Sequence, residues 1–488
     1  MLDDEQKAAA ADGQHVVEKG AAPPIAEPNL RPPLKKVVKN FDEVGARDRV
    51  LAACGDRLRY VVDRKALYSW DEWRYGNFDH IAEELARDAL DKVHLEYDEG
   101  CIHVTEDGQS VGKDDFLEFQ GKVRSHGMIR KALKLARLEK RIQLKFNAFD
   151  ANPYEINLLN GLFNLETQVL AQHAPSQLVT KLAPVSWVPG APCPEWETFI
   201  DIITLGDKDL AAYLQRLCGY AICGLSIEEV LPILYGGGAN GKSLFLWGLR
   251  MILGSGEYAL TLCSDTILNS NTYGLLYFYR QLEAIRIAFV SETEKKATIN
   301  EAMIKTLSGN DEVSGRGIGK DPVQFESKAK VFMAVNHLPV LTSTDHAIRR
   351  RIQVVPFRKK FDGSIKKDVL ERQFLGELNG IFAWMVDGFK DWRAQGLNPP
   401  AVVRKATDDY FATNDHIGAY LEERTESVAG AKTPLRQLFE DYQAWAHEAG
   451  VKALGMHQFG DLLEGRGIAK GRTNSARHWE GIAPKAIV

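Results

Sequence analysis

Gly236-Gly237-Gly238-Ala239-Asn240-Gly241-Lys242-Ser243 decides how this chain is read. The octet fits the phosphate-binding pattern G-x-x-x-x-G-K-[ST] without a gap. Upstream, Val230-Leu231-Pro232-Ile233-Leu234-Tyr235 is a short apolar run suited to a buried parallel strand. Downstream, Leu244 to Leu253 has the spacing of a helix, with Gly254 placed to cap it. Strand, glycine loop and helix together form a site for a triphosphate. The glycines let backbone N–H groups approach the phosphates, and the helix N-terminus adds partial positive charge. Gly236, Gly237, Gly238, Ala239, Asn240, Gly241, Lys242 and Ser243 are the expected ATP-binding residues. Lys242 is expected on the β- and γ-phosphates, and Ser243 on Mg²⁺.

The rest of the composition narrows the class. A chain of 488 residues has room for about three domains. Its 45% apolar and 26% charged residues are those of an ordinary globular protein. A net charge of −5 excludes a surface coated in basic residues, so any nucleic-acid contact must be local. The 6 cysteines (Cys54, Cys101, Cys193, Cys218, Cys223, Cys263) include no C-x-x-C pair. That argues against a zinc ribbon or disulfide framework and suits a reducing cytoplasm. No apolar run approaches the roughly 18 residues needed to span a bilayer.

Residues 1–44, rich in Ala, Pro and Lys and ending near Lys35, Lys36 and Lys39, read as a disordered arm. Residues 45–145 read as a globular unit with an aromatic stretch (Tyr60, Tyr68, Trp70, Trp73, Tyr75, Phe78) and a basic helical run from Met128 to Arg141. These aromatics fit a core better than a base-stacking platform. Residues 146–225 hold a turn-rich segment, a proline-rich connector from Pro184 to Pro194, and helical spacing from Trp196 to Gly224. Strand and helix alternate over 226–360, an α/β core. Helical pattern fills 361–429, and a break at Gly430 opens a final unit, 430–488.

Three elements follow the glycine loop. Ile285 to Val290 is a strand candidate ending in Ser291-Glu292-Thr293-Glu294. Carboxylates at that position can hold Mg²⁺ through water and orient the attacking water. Lys330 to Val335 is a second strand, ending in Asn336, whose amide can bond both γ-phosphate and lytic water or simply cap the following turn. His346-Ala347-Ile348-Arg349-Arg350-Arg351 precedes a third strand and is either surface charge or the source of a guanidinium for a neighbouring subunit's phosphate.

With these residues in this order, the stretch from Asp150 to Phe357 closely resembles superfamily 3 DNA helicases of the AAA+ class, of the phage, plasmid and poxvirus primase–helicase type. The resemblance also uses Ile304-Lys305-Thr306-Leu307-Ser308-Gly309-Asn310-Asp311, Val335-Asn336-His337-Leu338-Pro339, and Asn160-Gly161-Leu162-Phe163-Asn164-Leu165 upstream. It implies an α/β fold: an AAA+ P-loop ATPase core with helical flanking domains and a C-terminal winged-helix-like module. It further implies a hexameric ring moving along single-stranded or forked DNA, 3′ to 5′, with ATP and Mg²⁺. The setting expected is replication of a phage, prophage or plasmid in the bacterial cytoplasm, beside a separate primase or initiation protein and with no membrane. The alternative is a DNA-stimulated ATPase that remodels, loads or packages DNA without separating strands.

Carried onto this chain, the catalytic set is Lys242, Glu292, Glu294, Asn336, Arg349 and Arg350, with Glu292 the primary acid and Ser243 and Glu292 on the metal. The acids here are Glu-Thr-Glu rather than adjacent, and Arg349 stands where the family often has an aromatic. The finger is therefore Arg349 or Arg350, with Arg351 structural. A pore hairpin falls on Ser314 to Asp321, where Arg316 and Lys320 are the candidate phosphate contacts. No carboxylate constellation for primer synthesis stands in residues 1–145. In the last unit, Arg466, Lys470, Arg472 and Arg477 lie on a basic hairpin after two helices, resembling a winged-helix DNA-binding module.

Overall fold

The computed structural model describes residues 35–262, 272–291, 301–309, 312–317, 319, 321–341, 346–363, 366–451, 453–472 and 477–485. Its strands, in chain order, begin with β1 (Lys35–Val38), β2 (Leu58–Val61), β3 (Ala66–Trp70), β4 (Tyr75–Gly76), β5 (Cys101–Val104) and β6 (Gln143–Leu144). β4-β3-β2-β6 form one small sheet and β1-β5 another. Helices Glu43–Cys54, Asp79–Asp91, Lys113–Val123 and His126–Ala136 bury Val50, Leu90, Phe116 and Ile129 in their own core. The arm expected over residues 1–44 is thus too long at its C-terminal side. Lys35–Val38 pairs in parallel with Cys101–Val104, and a helix capped by Asp42 starts at Glu43. Residues 1–34 lie outside the described residues. Of the aromatic stretch, Trp70 and Tyr75 are core, whereas Trp73 is exposed.

β7 (Glu155–Leu158), β8 (Gly161–Asn164) and β9 (Leu170–Ala171) make an antiparallel sheet, followed by helices Pro194–Thr204 and Lys208–Ile222. The central sheet comprises β10 (Leu231–Tyr235), β11 (Ala259–Leu262), β12 (Ile287–Ser291), β15 (Lys330–Val335) and β16 (Ile352–Pro356). Among the described residues, the intervening β13 (Glu312–Gly315) and β14 (Val323–Glu326) pair only with each other. The central order is β11-β12-β15-β10-β16, every neighbouring pair parallel. Such a sheet must be covered on both faces, and its side chains alternate accordingly. Leu234, Phe289, Phe332 and Val355 enter one core, while Ile233, Val290, Met333 and Val354 enter the other.

The first of these cores is shared with residues 156–222 and with the long helix Lys367–Gln395. Trp196 stacks on Phe245 at 5.7 Å, and Gly219 lies under the backbone of Phe389. The segment drawn from the sequence as a separate unit, 146–225, therefore has no core of its own. Buried Arg286 reinforces the union by donating to the carbonyls of Pro153 and Glu155 at 2.7 and 2.8 Å. Pro232 is tolerated in a central strand because its missing N–H faces β15, whose pairing with β10 starts only at Ile233. Lys330, 4% exposed at the head of β15, donates to the carbonyls of Cys223 and Lys328, and burial pushes its amine down to about 7.

The C-terminal unit starts earlier than Gly430. Helix His416–Arg424 contributes Ile417 and Tyr420 to the same core as Leu438, Tyr442, Phe459 and Trp479. β17 (Thr425–Pro434) runs straight through Gly430, its register shifting between Ser427 and Lys432. It pairs with β19 (Arg477–Pro484), which pairs with β18 (Lys470–Arg472). No helix among the described residues is long and apolar enough to cross a membrane.

Candidate functional site: a glycine-loop cleft

β10 lies between β15 and β16, so the loop leaving it emerges at the sheet's C-terminal edge with a strand on either side. Crevices at that edge are where open α/β sheets bind ligands. Three successive features shape the loop. Gly238 and Gly241 sit at φ +96° and +88°, and Ala239 at +46°, so the chain curls back on itself. A Cβ on Gly236 would stand 2.4 Å from the Phe357 carbonyl, so only glycine fits there. Buried Asn240 then ties the loop to that same carbonyl at 3.3 Å.

Helix Lys242–Leu253 starts from Gly241, and no side chain caps it. The N–H groups of its first turn have no intrahelical acceptor and face the cleft. Lys242 is 5% exposed. Its ammonium donates to Gly236 O at 2.7 Å, Asn240 Oδ1 at 2.9 Å and Asn336 Oδ1 at 3.2 Å. All three acceptors are neutral, and burial pushes the amine down to about 8. A cleft of about 460 Å³ opens in front, lined by Gly238 to Leu244, Ala334, Asn336, Phe361, Lys367 and Leu370. Ser243 is exposed within it. The arrangement is an anion cradle: one buried cation, oriented amides and a free hydroxyl.

The sheet brings Asn336 to this cleft, since β15 runs parallel to β10 and ends beside it. β12 also ends at this edge, with Ser291 opposite Ala334. Glu292 and Glu294 come next in the chain and lie outside the described residues. Among the described residues no cluster of three or more His, Cys, Asp or Glu could hold a metal ion. Phe361, Lys367 and Leu370 carry no motif that could have marked them. The Phe361 N–H bonds the Ala239 carbonyl at 2.7 Å, closing the segment after β16 over the loop.

Arg349 and Arg350 are not in the cleft. They precede β16, whose register puts Ile352 beside Leu231 and Pro356 beside Tyr235. They therefore stand at the opposite edge, separated by roughly 13 Å of strand at ~3.3 Å per residue. Arg349 pairs with Asp408 at 2.6 Å and lies over the Phe411 ring. Arg350 pairs with Glu229 at 2.9 Å, as does the buried Arg351 at 3.0 Å.

β13 and β14 form an antiparallel hairpin that leads within three residues into β15. Gly315 allows it to press on helix Thr272–Gln281, since a Cβ there would lie 2.7 Å from the Arg280 backbone. Arg316 is exposed at the hairpin's end; Lys320 lies outside the described residues. The C-terminal basic set divides. Arg466 pairs with Asp415, and Lys470 pairs with Glu464 at 3.1 Å while lying over Trp479. Arg472 and Arg477 face each other across β18 and β19, exposed, with no carboxylate partner among the described residues.

The chain is thus a mixed α/β protein built around a glycine-loop cleft at the edge of a parallel sheet. Residues 47–205 match the D5 N terminal like family model and residues 412–465 the poxvirus D5 protein-like model, matches consistent with a superfamily 3 primase–helicase family. Residues 234–351 match a family of unknown function, DUF5906. A mimivirus protein (Acanthamoeba polyphaga mimivirus) named as a putative helicase is 25% identical over 322 residues, 61% of this chain and 33% of that protein. A protein of African swine fever virus (strain Badajoz 1971 Vero-adapted) named as a putative primase is 26% identical over 250 residues, 48% of this chain and 25% of that one. One from Invertebrate iridescent virus 6, named as a putative helicase, is 24% identical over 340 residues, 61% and 34% respectively. The chain spans about a third or less of the length of these relatives. Among solved structures, the apo C-terminal region of NrS-1 aligns over 91% of this chain and 100% of that chain, at 10% identity and a TM-score of 0.44.

Proposed function

We propose that this chain is an ATP-dependent DNA helicase motor of the AAA+ class, acting as a ring on single-stranded or forked DNA during replication. The observation that carries the reading is Lys242: a buried ammonium whose acceptors among the described residues are all neutral oxygens, at the foot of an uncapped helix. Such a cradle favours a polyanion strongly over water. Relatives named as putative helicases and primases from large DNA viruses support a role in DNA replication.

In this reading Lys242 binds the β- and γ-phosphates, the loop amides wrap them, and Asn336 offers its amide N–H to the γ-phosphate and the lytic water. The open Ser243 hydroxyl beside the cradle fits a metal ligand, with Glu292 as the second and Glu294 in reserve. Bound Mg²⁺ neutralises charge shared between the β- and γ-phosphates. Arg349 or Arg350 serves the site of the next subunit, because in its own subunit it stands across the full depth of the sheet from the cradle. That geometry favours a ring, and a hexamer is the form proposed. Arg316 and Lys320 grip DNA on the pore hairpin, Arg472 and Arg477 on the C-terminal unit, and travel is 3′ to 5′. The setting proposed is the DNA of a phage, prophage or plasmid in its host's cytoplasm.

A forked duplex carrying a fluorophore and quencher tests this. The expected outcome is ATP-dependent strand separation by the wild type and none by Lys242→Ala. Hydrolysis of ATP with no strand separation would favour the remodelling or packaging alternative. No hydrolysis by the wild type would defeat both.

A further inference from the structure

Three consecutive arginines precede β16, and their burial and partners together distinguish them. Arg349 is doubly committed to helix Ala401–Asn414, through Asp408 at 2.6 Å and the face of Phe411 at 5.2 Å. Arg351 is buried, donating to Ala347 O and to Glu229 Oε2. Arg350 is half exposed and held through one Nη2 contact of 2.9 Å to the same Oε2 of Glu229. Its guanidinium keeps further N–H donors facing outward.

Glu229 is also unusual in its backbone. Its φ is +51°, the left-handed region that a residue with a Cβ enters at a cost. It is fixed there from both sides. Its carboxylate takes Arg350 and Arg351, and two residues later the Leu231 N–H bonds the Arg351 carbonyl at 2.7 Å. Arg351 is therefore a brace that fixes the carboxylate, and the carboxylate fixes Arg350. Glu229 moreover stands at the head of β10, whose other end carries the glycine loop.

From this geometry we infer that Glu229 is a positioning residue that aims Arg350, rather than Arg349, at the triphosphate of the neighbouring subunit. The inference rests on the reading that an arginine of this run acts across a subunit interface. Glu229 does not touch the nucleotide in either subunit. It orders a flexible cation before the phosphate arrives, so that little side-chain freedom is lost at the transition state.

Complementation tests it. Glu229→Gln keeps the side chain's shape and removes its charge. Its ATP turnover is expected to fall roughly tenfold to a hundredfold, with KM for ATP unchanged. A Lys242→Ala subunit cannot bind phosphate properly but carries intact Glu229 and Arg350. Mixing Glu229→Gln with Lys242→Ala should therefore restore turnover well above either protein alone. Arg350→Ala mixed with Lys242→Ala is the control and should recover in the same way. Recovery with Arg350→Ala but not with Glu229→Gln would mean that Glu229 acts on its own subunit's fold, which overturns the inference and leaves the finger reading standing. Unchanged kcat in Glu229→Gln alone would also overturn it. Recovery in neither mixture would remove action across the interface and the inference with it.

Discussion

At Lys242, burial beside neutral acceptors sets the electrostatics of the glycine loop. Its amine titrates near 8 rather than the ordinary 10.5 because burial penalises the charged form. A bound triphosphate restores that charge, so binding takes up a proton once the pH exceeds about 8. ATP affinity, measured by calorimetry in buffers of different ionisation enthalpy, is expected to fall by up to about tenfold per pH unit above that point. A flat affinity from pH 7 to 9 would contradict it. Lys330 makes a parallel prediction for stability. Its folded value is about 7 against 10.5 for the ordinary lysine, so within that window the unfolded chain holds a proton that the folded chain has lost. Stability then rises with pH across the window, and the wild type should gain on Lys330→Met between its lower and upper ends in urea unfolding. What the sequence could show at this scale was the glycine loop, whose residues are contiguous. Glu229 and Asp408 were invisible, standing 121 and 59 residues from the arginines they hold, in no motif.

At the scale of elements, strand, loop and helix were legible around Gly236 to Ser243 because one local pattern specifies all three. The same holds for β15 and for the helices after Lys366, which follow from apolar period. The misses share a cause. β1 and β17 are short or mostly exposed strands, so neither shows the alternation that betrays a half-buried strand. Gly430 accordingly looked like a break when the strand in fact passes through it with a shift of register. The contact between helix Lys208–Ile222 and the long helix shows what pattern cannot carry. A Cβ at Gly219 would lie 2.0 Å from the Phe389 nitrogen and 2.2 Å from the Gly388 carbonyl carbon, all rigid backbone. Gly219→Ala should destabilise the protein by about 3 kcal/mol, read as a lowered urea midpoint. Gly121, within helix Lys113–Val123, meets nothing within 4 Å, so Gly121→Ala should instead raise stability by about 0.5–1 kcal/mol. Equal effects at the two positions would refute the packing argument.

Across the whole molecule, the core around the central sheet does not stop where the sequence divides. Residues 156–222, the central sheet and the long helix enclose one apolar interior. The N-terminal unit leans on the same body through Arg64 with Glu283 and Arg74 with Glu257. The cradle and the arginines occupy opposite edges of one sheet, an arrangement that makes sense when the two halves of a site come from different copies. Motifs named the parts of that site, whereas only the parallel register of β10 and β16 set them apart. In the proposed activity, hydrolysis at Lys242 drives the chain along single-stranded DNA. Displacement of streptavidin from biotinylated single strands tests it most directly, with biotin at either end and ATP and Mg²⁺ supplied. The wild type is expected to clear streptavidin from the 5′ end, and Lys242→Ala to clear neither. Vigorous ATP hydrolysis with streptavidin retained at both ends would contradict it.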